Sequence, residues 1–95
     1  MKRSEALVAT ENGVKYMKQL CRHWGHKFTV EFDETHGRIE LPQTVCTLDV
    51  LPAALKVSLD VAGDGDLKRM ETVVEEHVKR FAFNEELAFS WASEN

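Results

Sequence analysis

At 95 residues, with 43% apolar and 29% charged side chains, the chain can build one hydrophobic core and lacks the composition of a disordered segment. Its formal net charge of −4 argues against a binder of phosphate backbones, and its longest apolar runs are far too short to span a membrane. Residues 1–95 are therefore read as a single domain. Lys2 and Arg3 are followed by Ser4 and Glu5, not by an apolar signal stretch, so the expected compartment is the cytoplasm. There Cys21 and Cys46, which form no Cys-x-x-Cys pair, should be reduced, buried thiols.

Ser4–Ala9 reads as a first strand, with Thr10 as the cap of a helix. Val14, Met17, Leu20, Cys21 and Trp24 recur at helical spacing on one face, opposite Lys15, Lys18, Gln19 and Arg22, and Gly25 marks the stop. From Lys27 the period becomes two. Phe28, Val30 and Phe32 form one strand. A turn over Glu34–Gly37 uses Gly37 for positive φ, and Ile39 and Leu41 return. Pairing Phe32 with Ile39 and Val30 with Leu41 keeps these four on one face and sets Glu31 opposite Glu40. After Pro42-Gln43 a third strand points Cys46, Leu48 and Val50 inward. A hairpin that pairs Val50 with Leu55 also pairs Asp49 with Lys56. Asp64 should cap a second helix. Its inner stripe is Leu67, Met70, Val73, Val74, Val78 and Phe81, and its outer face is Lys68, Glu71, Glu75, Lys79 and Arg80. Alternation at Leu87, Phe89 and Trp91 predicts a last strand before a frayed tail.

The order is thus β-α-β-β-β-β-α-β. The outward positions of the four middle strands are almost all polar, so both helices belong on the other face. The expected fold class is α+β: a two-layer sandwich of one antiparallel sheet with two helices on one face, of the TATA-binding-protein or helix-grip kind. A ferredoxin-like topology is the alternative, disfavoured by four consecutive strands between the helices.

Charge is unevenly spread. Residues 1–27 hold Lys2, Arg3, Lys15, Lys18, Arg22 and Lys27 against Glu5 and Glu11, a net +4, and the remainder carries −8. A basic helix on an acidic body explains this. Docking of an acidic partner or of a second copy, a homodimer, is the other reading.

The chemistry-bearing residues concentrate in Cys21-Arg22-His23-Trp24-Gly25-His26-Lys27. His23 and His26 are three apart, a spacing that suits metal ligation or proton relay if the helix continues. Trp24 anchors the helix and stands at the edge of any pocket there. If a ligand site exists, the residues for it are His23, Trp24 and His26. The structural alternative is packing at a helix end, where imidazoles also suit the dipole. His77 lies on an apolar stripe and matters only if it comes near His23 or His26. His36 falls in a turn and reads as exposed. The acidic face of Glu31, Asp33 and Asp49 is read as solvated, with Arg38 or a partner's lysines relieving it, or a hard cation attracted weakly. Gly63-Asp64-Gly65 is a poor anion loop because Asp64 and Asp66 oppose an anion. No nucleophile with a base, no catalytic set and no dinucleotide fingerprint is present, and no cofactor or metal follows from the residues.

Cys21-Arg22-His23-Trp24, His26-Lys27-Phe28, Val30-Glu31-Phe32-Asp33, Gly37 and Ile39, with the close Arg80-Phe81-Ala82-Phe83, Leu87, Phe89 and Trp91, resemble a bacterial family known as domain of unknown function 2218. The resemblance covers nearly the whole chain. It transfers no catalytic residue. It does imply an association with siderophore and iron use, and a siderophore-interacting reductase or a small ligand as partner. The expected function is therefore a non-catalytic accessory or ligand-binding protein in iron or siderophore metabolism. The rivals are a small metal-dependent enzyme using His23 and His26, and a structural adaptor docking through its polar sheet face.

Overall fold

The computed structural model describes residues 2–94. The elements are β1 (Lys2–Ala9), α1 (Gly13–Trp24), β2 (Thr29–Phe32), β3 (His36–Leu41), β4 (Thr44–Leu51), β5 (Ala54–Val61), α2 (Leu67–Phe81) and β6 (Ala92–Glu94). All six strands join one antiparallel sheet in the order β2-β3-β4-β5-β1-β6. Both helices pack on the same face and touch each other, α1 across β2 to β5 and α2 over β5 and β1. The fold is the two-layer α+β sandwich in the expected order.

The alternation along the strands explains the layers. Val8, Ile39, Leu41, Cys46, Leu48, Leu55, Val57, Leu59 and Val61 point to the helices and are buried. Met17, Leu20, Val74 and Val78 meet them from above. Burying each such side chain contributes about 1.5–3 kcal/mol of transfer free energy. The opposite face holds a charge network, with Arg3 bonded to Asp60 at 2.8 Å and to Glu5 at 2.7 Å.

Two-residue loops close both central hairpins, each with proline first: Pro42-Gln43 between Leu41 and Thr44, and Pro52-Ala53 between Leu51 and Ala54. The β4–β5 register is the expected one, with Val50 opposite Leu55 and Asp49 opposite Lys56.

The β2–β3 register differs from expectation by two residues. Val30 pairs with Ile39, Phe32 with Gly37, and Glu31 with Arg38. Side-chain parity is unchanged, but Glu31 faces a cation instead of Glu40, so the like-charge clash does not arise. The shift comes from a tighter turn. Asp33 Oδ1 accepts the N–H groups of Thr35 and His36 at 2.9 Å, and Asp33 N–H donates to the His36 carbonyl at 2.8 Å.

Other local expectations are also revised. Asn12, not Thr10, occupies the N-cap position of α1, and the Thr10 hydroxyl instead accepts the Asn12 N–H at 3.0 Å. Asp66, not Asp64, caps α2, accepting the Arg69 N–H at 3.1 Å. Gly37 has no positive φ. It lies in β3 directly beneath α1, where a Cβ would stand 3.0 Å from Cys21 Sγ. Gly25 ends α1 in right-handed conformation. Glu71, expected outside, is buried and accepts the Ser4 hydroxyl at 2.5 Å. The stretch carrying Leu87, Phe89 and Trp91 is not a strand. Its alternating side chains cover the sandwich edge, Trp91 Nε1 donates to Glu75 at 3.0 Å, and the short final strand follows at Ala92.

Candidate functional site

The last turn of α1 splits its residues by helical geometry. Cys21 and Trp24 turn into the core, and Arg22 and His23 stay outside, where the Arg22 charge complements the carbonyl end of the helix. The chain then folds tightly back. Gly25 N–H donates to the Cys21 carbonyl at 2.8 Å, and Lys27 and Phe28 both donate to Trp24 at 3.1 and 2.9 Å. This wraps His26, Lys27 and Phe28 around the Trp24 side chain.

The neighbouring helix supplies the remaining wall. α2 carries His77 on the flank that meets α1. The His77 ring centroid lies 4.9 Å from that of Trp24 and 5.2 Å from that of His23, tilted by 42° and 51°. Phe81, one turn on, meets His23 edge-on at 6.2 Å. Together His23, Trp24, His26, Lys27, Phe28 and His77 line a recess of about 520 Å³.

One hydrogen bond determines the chemistry of His77. Its Nδ1 lies 2.7 Å from the Val73 carbonyl oxygen, which can only accept. Nδ1 therefore carries a proton, and in the neutral ring Nε2 holds the free lone pair. The recess thus combines aromatic faces, an ammonium from Lys27 and an imidazole of defined tautomer. It can stack a planar group, donate to an anion or offer nitrogen lone pairs.

The three sequence-expected residues all line this recess. The helix does not continue to His26, however, and the ring that comes nearest to His23 is that of His77. His77 does come near His23, the condition for its having a part in the site, although its position on a core stripe also suits plain packing. Among the described residues no three His, Cys, Asp or Glu side chains are grouped to hold a metal ion.

A second recess, of about 270 Å³, opens on the polar sheet face between Glu31, Phe32, Asp33, His36 and Arg38. His36 Nδ1 donates to Asp49 at 2.7 Å, and the backbone N–H of Thr35, followed by that of His36, holds the Asp33 carboxyl below its usual range. The groups there are exposed, with Arg38 paired to Glu40 at 2.8 Å and His36 to Asp49.

The two thiols are not part of either recess. Burial pushes Cys21 up to about 11 and Cys46 up to about 12, the latter also through the nearby Cys21. Both are free and buried, as expected from sequence.

The family model described as "Uncharacterized protein conserved in bacteria (DUF2218)" matches residues 5–92, a span that takes in both helices and every recess residue. The chain belongs to the DUF2218 family. Among solved structures, the NMR structure of PA4090 from Pseudomonas aeruginosa is similar to this DUF2218 chain. The two are 36% identical over 97% of this chain and 96% of that one, with a TM-score of 0.80. No curated protein matches this chain. Among the described residues no helix is long and apolar enough to cross a membrane.

Proposed function

We propose that this DUF2218 protein is a non-catalytic ligand-binding module whose site is the recess between the end of α1 and the flank of α2. The observation that carries the reading is the convergence of His23, Trp24 and His77, at 4.9 and 5.2 Å between ring centroids, around an open recess. Lys27 and the imidazoles favour an anion, and the faces of Trp24 and His77 favour a planar one.

The finer assignment, an accessory role in iron or siderophore use alongside a siderophore-interacting reductase, rests on the family resemblance. It is compatible with an iron atom that arrives inside a chelate with its own donor atoms. The test titrates untagged protein with flavin mononucleotide and with a ferric siderophore, following the Trp24 indole by NMR. Binding by at least one, lost in a folded His23→Ala/His77→Ala variant, is the expected result. Binding by neither, or unchanged binding by the folded variant, overturns the proposal.

A further inference from the structure

We infer that the recess also holds a borderline divalent cation of the Zn(II) class between His23 and His77, leaving coordination positions open. The inference deepens the ligand-binding reading and rests on the same recess.

The first argument is distance. A tetrahedral ion with metal–nitrogen bonds of about 2.0–2.1 Å sets the centroids of two imidazole ligands roughly 5 Å apart. The His23 and His77 centroids are 5.2 Å apart. The rings also come from different helices, so the pairing is a product of tertiary packing.

The second argument is the tautomer. A metal-bound imidazole commonly donates its other N–H to a carbonyl or carboxylate, which fixes the ring and raises its basicity. His77 already does this through Nδ1 and the Val73 carbonyl, leaving Nε2 as the ligand atom. His77 is half-buried and oriented, and His23 is exposed beside it.

Two protein nitrogens leave the other positions to water or to an anionic ligand. Borderline ions accept imidazole nitrogen readily, whereas hard cations prefer oxygen, so Zn(II), Ni(II) and Cu(II) are the expected class and Ca(II) and Mg(II) are not. Lys27 lines the same recess and opposes a cation, so removing its charge should tighten binding.

A comparison within the molecule sharpens the test. His36 is likewise held through Nδ1, by Asp49, and is an alternative landing point for the same ion.

The experiment titrates untagged protein with Zn(II) and follows the imidazole nitrogens by long-range proton–nitrogen NMR. Expected are a shift at His77 Nε2, at least tenfold weaker binding in His77→Gln and in His23→Gln, unchanged binding in His36→Gln, and tighter binding in Lys27→Gln. The shift at His77 Nε2 is read on the wild type and so needs no variant to fold. No Zn(II) shift up to millimolar concentration, or a shift confined to His36 and lost in His36→Gln, overturns the inference. If flavin mononucleotide or the ferric siderophore binds and Zn(II) does not, the cation site fails while the ligand-binding reading stands. If Zn(II) binds through His23 and His77 and neither organic probe does, the reverse holds.

Discussion

Ser4 and Glu71 meet across the interface between β1 and α2, where the serine hydroxyl donates to the carboxylate at 2.5 Å and both residues are buried. The acid sits on the core side of a helix and has this one side-chain donor among the described residues. Replacing Ser4 by Ala strands a buried acceptor, which costs about 1–3 kcal/mol. Replacing both, as Ser4→Ala with Glu71→Met, removes the need for the bond and should recover most of that loss. Urea unfolding of the wild type and of the single and double variants checks this. A double variant less stable than Ser4→Ala alone would contradict it.

Glu85 fastens the segment after α2 to the start of α1. A single carboxylate oxygen accepts from the hydroxyls of Tyr16 at 2.5 Å and Thr10 at 3.0 Å, and from the Asn12 amide at 3.1 Å. The Tyr16 hydroxyl, followed by Asn12, holds the Glu85 carboxyl below its usual range, and the same contact with Glu85 is the main cause that raises the Tyr16 phenol. The depressed acid contributes stability above the ordinary carboxylate range, about pH 4.3, and that contribution is lost as pH falls through the folded value. The raised phenol contributes below its ordinary value near 10 and loses its contribution as pH rises through the folded value. The melting temperature of Glu85→Gln should therefore lie below that of the wild type at pH 7, with the gap closing toward pH 3. A gap that does not change with pH would rule this out.

Cys21 and Cys46 should resist alkylation. Burial raises both thiols to about 11 and 12, so little thiolate exists near neutral pH and little of that is accessible. Labelling by iodoacetamide at pH 8 should be at least a hundredfold slower in native protein than in guanidinium. Comparable rates in the two states would mean that neither thiol is sequestered.

Gly37 lets α1 approach β3. A Cβ at this position would stand 3.0 Å from Cys21 Sγ and 3.3 Å from Met17 Cγ. Gly37→Ala should cost about 1 kcal/mol through overpacking, and Cys21→Ala should suppress that cost by removing the sulfur. Additive losses in the double variant, measured by thermal unfolding, would show that the contact does not set the approach.

Gln43 takes φ of +56° at the second position of the β3–β4 loop. A long side chain carries a left-handed backbone at a cost of roughly 1–2 kcal/mol, and asparagine tolerates it better. Gln43→Asn should raise the melting temperature by a degree or more. A lower value would argue that the glutamine side chain has a compensating contact.

Much of this architecture is written in local patterns. Alternation in residues 28–61 assigns each strand residue to a face, because successive side chains on a strand must point oppositely. The stripes of α1 and α2 then have one place to go, the apolar face. The β4–β5 register was legible because a two-residue loop and the Asp49–Lys56 pair agree on it. The β2–β3 register was not, because alternation constrains only parity. A shift of two residues keeps every face and is decided by how Asp33 ties down the N–H groups of Thr35 and His36. The same ambiguity made Leu87, Phe89 and Trp91 look like a strand, since any extended segment lying on an edge buries alternate residues. The candidate site divides likewise. His23, Trp24, His26 and Lys27 are contiguous and visible as a cluster. That His77 completes the recess depends on where α2 crosses α1, and that His77 presents Nε2 depends on one bond to the Val73 carbonyl. Packing between distant segments sets both, and no periodicity within either helix encodes it.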